Sequence, residues 1–143
     1  MECGVDLHIQ SGSVDFNLEV VMVAKILILG HSFISRLVTF NSLQNHHSVD
    51  MNMGLNPTQE QILYMGYPGG HLNIIKTEGL QYVQRCNPDI VVLQIGSNDL
   101  CKETNEVHDV AKGIIEVAMS LRFKYNVKKV LVCQILNRIP PRK

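Results

Sequence analysis

Four short apolar runs alternate with three segments of helical periodicity along this chain. The apolar runs lie at 23–29, 61–65, 90–95 and 130–136, and we predict them as strands. Strands that alternate with helices form a parallel sheet with right-handed crossovers. The sequence therefore predicts an α/β fold in the order β-α-β-α-β-α-β. Because the run at 23–29 is apolar throughout, we expect that strand to be buried on both faces.

The length and composition are those of one globular domain. The chain has 143 residues, of which 45% are hydrophobic and 18% charged, enough to bury a substantial core. Met22 opens the segment "MVAKILILGHSF", which reads as a natural start at a first strand. We therefore predict a poorly ordered N-terminal extension at residues 1–22 and a single domain at residues 23–143.

Charge and hydropathy argue against nucleic acid or a membrane as a partner. Thirteen basic residues balance thirteen acidic ones, so no long-range field attracts either kind of polyanion. The apolar run "VVMVAKILILG" is interrupted by Lys25 and is too short to span a bilayer. The N-terminal residues lack the basic region of a secretory signal. We expect a soluble cytoplasmic protein.

The cysteines and histidines show no metal-ligand spacing. No two of the four cysteines form a C-x-x-C pair, so we expect free thiols, and Cys133 falls within a strand predicted to be buried. The adjacent His46 and His47 would point apart on a helix or a strand. We predict no metal site and no cofactor.

Three of the predicted strands end in polar or glycine-rich turns: "GHS" after the first, "GYPGG" after the second and "GSND" after the third. Parallel strands end at a common edge of the sheet, and α/β sheets bind ligands there. The three turns are therefore expected to face one crevice. Within the first turn, Ser32 is either a helix cap or a nucleophile held on a sharp strand-to-helix turn.

The side chains and N–H groups of these turns suit acyl transfer. Ser32 offers a hydroxyl, Gly69 and Gly70 offer unobstructed N–H groups, Asn98 offers an amide, and Asp99 can brace the loop. A hydroxyl with separate N–H donors is what attack on a carbonyl requires, because an oxyanion develops there. Each turn taken singly also has a structural explanation, since glycines permit turns and "SND" can cap a helix. Their occurrence together, in this order, favours the catalytic interpretation.

At these residues the chain resembles the SGNH hydrolases, the GDSL-type esterases and lipases. "ILILGHSF" resembles the first block of that family, "GYPGGHL" the second and "PDIVVLQIGSNDL" the third, which is the most specific. The resemblance extends from about Ala24 to the C-terminus. It implies a three-layer αβα fold with a parallel, flavodoxin-like sheet in the order 2-1-3-4, the usual fifth strand being absent. The implied activity is hydrolysis of a small ester or acetylated substrate without a cofactor.

The resemblance also implies roles for individual residues. Ser32 corresponds to the family's nucleophile and also lends its backbone N–H to the oxyanion hole. The second-block glycine corresponds to Gly70, with Gly69 as the alternative, and the oxyanion-hole asparagine corresponds to Asn98. Asp99 and His31 are expected to support this site.

The chain departs from the family's pattern at two points. His31 occupies the place of an aspartate in the first block, and no Asp-x-x-His block, which supplies the family's general base, is present. Apart from His31, the histidine nearest to the predicted crevice is His71; neither it nor His108 has an aspartate three residues before it. We therefore expect a C-terminally truncated hydrolase domain with impaired turnover, because a serine hydroxyl without a base is a poor nucleophile.

Two other interpretations remain at this point. The chain could be a non-catalytic descendant that binds a small acyl or sugar ligand in the same crevice. It could also be a nucleotide-binding α/β domain, although "GHSFIS" matches neither the G-x-G-x-x-G fingerprint nor a phosphate-binding Gly-Lys-Ser/Thr loop. Because the fifth strand that the resemblance implies is absent, the fourth strand would be an apolar edge, and we expect self-association through it.

Overall fold

The computed structural model describes residues 22–43 and 50–135, and a four-stranded sheet lies at its centre. Its strands are β1 (Ala24–Gly30), β2 (Glu60–Gly66), β3 (Ile90–Gln94) and β4 (Lys129–Val132). All pairings are parallel, in the order β2-β1-β3-β4. The predicted sheet and its 2-1-3-4 order are thus confirmed.

The helices lie in the crossovers between the strands. They are α1 (Ser32–Leu43), α2 (Leu72–Ile74), α3 (Leu80–Cys86), α4 (Ser97–Leu100) and α5 (Val107–Phe123), with a π-helical segment at Ile75–Gly79 that joins α2 to α3. Right-handed crossovers in this strand order place α1 on one face of the sheet and the other long helices on the opposite face. The fold is a three-layer, flavodoxin-like α/β fold, as expected.

The main core lies between the sheet and the face covered by α2, α3 and α5. Leu27, Leu29, Val91 and Leu93 of the two central strands are completely buried there. The alternate residues Ile26 and Ile28 are only half-buried. The expectation that the first strand is buried on both faces is therefore wrong, because within the described residues α1 alone packs on the second face.

The fourth strand is shorter and more exposed than the apolar run suggested. It ends at Val132, and its last ladder contact is the Cys133 N–H, which donates to the Leu93 carbonyl oxygen at 2.8 Å. Cys133 itself is exposed, which corrects its predicted burial. The reason is that, within residues 22–43 and 50–135, β4 pairs on one side only, so Leu131 and Val132 remain 45% and 51% exposed.

Several sequence predictions concern residues outside the described range. The predicted extension at residues 1–22 lies outside it apart from Met22, as do Cys3, His46, His47 and the end of the predicted fourth strand. The three cysteines within the range form no disulfide with one another. In residues 22–43 and 50–135 no helix is long and apolar enough to cross a membrane. The same residues contain no cluster of side chains that could hold a metal ion.

Candidate functional site

The turns that follow β1, β2 and β3 are joined to one another at the carboxyl edge of the sheet. The Tyr67 N–H donates to the Gly30 carbonyl oxygen at 2.9 Å, which joins the second turn to the first. The Asn98 amide donates to the Gly70 carbonyl oxygen at 2.7 Å, which joins the third turn to the second. The structure thus brings the turns that carry Ser32, Gly70 and Asn98 together at one edge.

Ser32 is the first residue of α1 and is held on a sharp turn. The His31 carbonyl oxygen accepts the N–H groups of Ile34 and Ser35 at 3.1 and 3.2 Å, so the helix starts directly after β1. A Cβ on Gly30 would lie 2.6 Å from the Gln94 carbonyl oxygen, so only glycine allows this approach to β3. Among the described residues the Ser32 hydroxyl has no hydrogen-bond partner, so it does not cap α1.

The second turn uses its two glycines differently. The Gly70 N–H donates to the Tyr67 carbonyl oxygen at 3.0 Å, and Gly69 has a φ of +66°. With Pro68 at the second position, this is the pattern of a type II turn. A Cβ on Gly70 would lie 2.8 Å from Ile74, so that residue is glycine for steric reasons. The Gly70 N–H is therefore already bonded, whereas the exposed Gly69 N–H has no partner among the described residues.

The third turn places two polar side chains in buried positions. Asn98 and Asp99 are only 9% and 6% exposed and lie in the short helix α4. The Leu72 N–H, at the start of α2, donates to both carboxylate oxygens of Asp99 at 3.1 and 3.2 Å. A carboxylate is stabilised at a helix N-terminus by the helix dipole. Asp99 thus fixes the second turn against the third.

His31 is the most buried polar side chain of the site. It is 1% exposed, and both of its ring nitrogens lack a hydrogen-bond partner among the described residues. Burial lowers the pKa of His31 below its ordinary value of 6.5, although the nearby Asp99 carboxylate and the main chain of His71 favour the charged form. His31 is therefore a neutral imidazole at pH 7.

His71 and Asp99 form a pair that sequence reasoning missed. Their Nδ1 and Oδ1 atoms are 3.6 Å apart, and the His71 side chain is 35% exposed. The two residues lie 28 positions apart in the chain, and the only available signal was that both follow strands that flank β1. Both also line a polar groove of about 310 Å³ between α2 and α5, which Ser32 does not line.

Comparison with known proteins gives matches among solved structures only. No family model and no curated protein matches the chain. A putative GDSL-like lipase from Parabacteroides merdae superposes with a TM-score of 0.58 at 14% identity, over 80% of this chain and 62% of its own. An acetyl xylan esterase superposes with a TM-score of 0.53 at 21% identity, over 76% of this chain and 57% of its own. A catalytic mutant of an acetylxylan esterase from Geobacillus stearothermophilus superposes with a TM-score of 0.51 at 13% identity, over 78% of this chain and 60% of its own.

The chain spans less than two thirds of the length of each of these structures. The GDSL-like lipase and the acetyl xylan esterase, which have the two highest TM-scores of the three, are only 14% and 21% identical to this chain. Identities this low establish a likeness of fold rather than of activity. The likeness agrees with the parallel 2-1-3-4 sheet and with the polar turns at its carboxyl edge. The chain therefore has an SGNH, or GDSL-type, hydrolase-like fold.

Proposed function

We propose that this chain is an SGNH-type serine esterase domain that hydrolyses ester or acetyl groups through an acyl-Ser32 intermediate. The observation that carries the proposal is the environment of Ser32. Its hydroxyl lies on a sharp strand-to-helix turn and does not cap the helix. Donor groups of two further turns lie at the same edge of the sheet.

The proposed reaction begins with attack of Ser32 Oγ on the carbonyl carbon of the ester. The carbonyl π electrons move to oxygen, and the oxyanion is stabilised by preorganised N–H donors. The backbone N–H of Ser32, a glycine N–H of the second turn and the Asn98 amide are the proposed donors. In the second turn we favour Gly69, since the Gly70 N–H is bonded to Tyr67. Collapse expels the alcohol, and water then hydrolyses the acyl-serine.

The names of the structural neighbours support an acetyl ester as the substrate class. Two of the structures described above are acetylxylan esterases by name, and one is a GDSL-like lipase. We extend the acetyl preference to this chain as part of the proposal. Because these 143 residues contain no Asp-x-x-His motif, we expect turnover to be slow.

The proposal is tested by Ser32→Ala, assayed with p-nitrophenyl acetate. We expect the chain to hydrolyse this ester slowly and the variant to fall to the uncatalysed rate, because the nucleophile is lost. Ser42→Ala is the matched control, since Ser42 is an exposed serine on the same helix whose hydroxyl donates to the Val38 carbonyl oxygen. Hydrolysis that survives Ser32→Ala would contradict the proposal, provided that both variants keep the far-UV circular dichroism of the parent.

A second candidate is a non-catalytic domain that binds a small acylated ligand in the same crevice. One observation favours it: the Gly70 N–H is already bonded within its turn. This candidate predicts binding of an acetylated sugar by calorimetry, without product, and with equal affinity for Ser32→Ala.

A further inference from the structure

The His71–Asp99 pair places a partly exposed imidazole next to a buried carboxylate. The Nδ1 atom of His71 is buried, has no hydrogen-bond partner among the described residues, and lies 3.6 Å from Asp99 Oδ1, which is longer than a hydrogen bond. The His71 side chain is 35% exposed, and its other ring nitrogen, Nε2, is not buried. A histidine base has one nitrogen hydrogen-bonded to a carboxylate and the other accessible to take a proton. His71 has the accessible nitrogen, and closing the 3.6 Å gap to Asp99 would complete the arrangement.

The carboxylate of this pair is held in place independently of His71. Both oxygens of Asp99 accept the Leu72 N–H, and the Asp99 carbonyl oxygen accepts the Asn105 amide at 2.9 Å. His71 precedes α2 in an extended conformation, and its side chain makes no capping hydrogen bond. Its imidazole is therefore not occupied in stabilising the helix.

The chain places this pair beside the turn that carries Ser32. Gly70, which precedes His71, accepts the Asn98 amide, so the second and third turns are in direct contact. The Tyr67 N–H donates to the Gly30 carbonyl oxygen at 2.9 Å, so the second turn also contacts the turn that carries Ser32. All three turns that supply these groups are thus packed at one edge of the sheet.

The other histidines of the described range are poorly placed for this role. His31 has both ring nitrogens buried, so a substrate or a water molecule cannot reach them. His108 is exposed in the first turn of α5 and has no carboxylate partner among the described residues. Within this part of the chain, only His71 combines an accessible nitrogen with a fixed carboxylate.

We propose that His71 is the general base of the proposed esterase and that Asp99 positions it; this inference rests on the function proposed above. As the bond from Ser32 Oγ to the carbonyl carbon forms, the Oγ–H proton passes to His71 Nε2. When the C–O bond to the leaving group breaks, the same proton passes to the departing alkoxide oxygen. Ser32 does not line the groove beside His71, so the proposal requires either rotation of the ring toward Ser32 or one water molecule that relays the proton.

The test compares His71→Gln with His108→Gln, its matched control, by two measurements on the full chain. The first is kcat/KM for p-nitrophenyl acetate between pH 5 and 9. The second is the rate at which a fluorophosphonate labels Ser32, followed by peptide mass spectrometry. We expect His71→Gln to lower both rates at least about tenfold, because general-base catalysis contributes roughly 10²–10⁴-fold. It should also change the shape of the pH profile, and imidazole should rescue His71→Gly. His108→Gln should change neither rate.

The outcomes separate this inference from the proposed function. If Ser32→Ala abolishes hydrolysis but His71→Gln leaves the rates and the pH profile unchanged, His71 is not the base and the esterase proposal stands. If the rates fall but imidazole does not rescue and the pH profile keeps its shape, His71 is structural and the inference is overturned. If the parent chain neither hydrolyses the ester nor labels at Ser32, both proposals fail.

Discussion

At the scale of single residues, His31 is unusual because its imidazole ring is almost completely buried at the site. A buried polar group without a hydrogen bond costs about 1–3 kcal/mol, and both ring nitrogens of His31 are in that state with respect to the described residues. Burial is the largest influence on its pKa, and it acts against the charged form. The neutral ring is therefore tolerated at the sheet edge, whereas an imidazolium there would be costly.

We predict that His31 makes folding stability depend on pH. The pKa of His31 in the folded state is below its ordinary value of 6.5. As the pH falls below 6.5, His31 therefore binds a proton more readily in the unfolded chain than in the folded one. The free energy of unfolding should therefore decrease with falling pH, by at most about 1.4 kcal/mol per pH unit from this one group. Urea denaturation at pH 7.5, 6.5 and 5.5 measures this slope.

The matched variants for this measurement are His31→Leu and His108→Gln. Replacing His31 by leucine removes the titrating group from its buried position and should flatten the dependence between pH 7.5 and 5.5. His108 is exposed, so its replacement should leave the slope unchanged. An equal slope in His31→Leu and in the parent chain would show that His31 is not responsible.

At the scale of secondary-structure elements, two glycines have opposite constraints. Gly66 ends β2 where α1 crosses it, and a Cβ there would clash with the Ser35 backbone nitrogen. Gly79 ends the π-helical segment, and its Cβ would meet only side-chain atoms of Ile75, at 3.4 Å or more. Backbone cannot yield without moving the whole helix, whereas a side-chain contact at 3.4 Å is ordinary packing.

We predict that Gly66→Ala destabilises the fold and that Gly79→Ala does not. The clash with the backbone of α1 should cost about 1–3 kcal/mol or more of unfolding free energy. Alanine at the helical Gly79 should instead gain about 0.5–1 kcal/mol, because glycine loses more conformational freedom on folding. Chemical denaturation of both variants beside the parent chain measures the difference. Equal stability of Gly66→Ala and the parent would show that α1 is free to shift on β2.

At the scale of the whole molecule, the outer edge of β4 is the most exposed apolar region of the sheet. Leu131 and Val132 are about half exposed, and a groove lined by Ile114, Ala118 and Met119 runs between β4 and α5. In the described residues β4 pairs only with β3, so its other side presents backbone N–H and C=O groups. Such an edge is a template for pairing with a further strand.

We expect the 143-residue chain to self-associate by pairing its β4 edge with β4 of a second copy. Sedimentation velocity over a hundredfold range of concentration should show a mass that rises with concentration. Leu131→Lys should shift the equilibrium to monomer, because charged side chains block edge-to-edge pairing. Phe40→Lys, an exposed apolar residue on α1, is the control and should have no effect. A monomer at every concentration would contradict the prediction.

The amino-acid sequence by itself determined the order of the elements, the parallel sheet and the turns that carry Ser32, Gly70 and Asn98. These features are local: the apolar runs specify strands, helical periodicity specifies the crossovers, and polar or glycine-rich residues specify the turns. Right-handed crossovers then leave few arrangements of four strands. The 2-1-3-4 order came from the family resemblance, and the structure confirms it.

Only the tertiary structure decided how the groups of the site face one another. It showed that the Gly70 N–H is bonded to Tyr67, that Asp99 lies between the Leu72 N–H and His71, and that β1 is buried on one face more than on the other. Apart from the Gly70 bond, each of these depends on packing between segments distant in sequence. The residue pattern of a local segment specifies the conformation of that segment. Distances of 3 to 4 Å between groups of different turns depend instead on how the helices pack against the sheet.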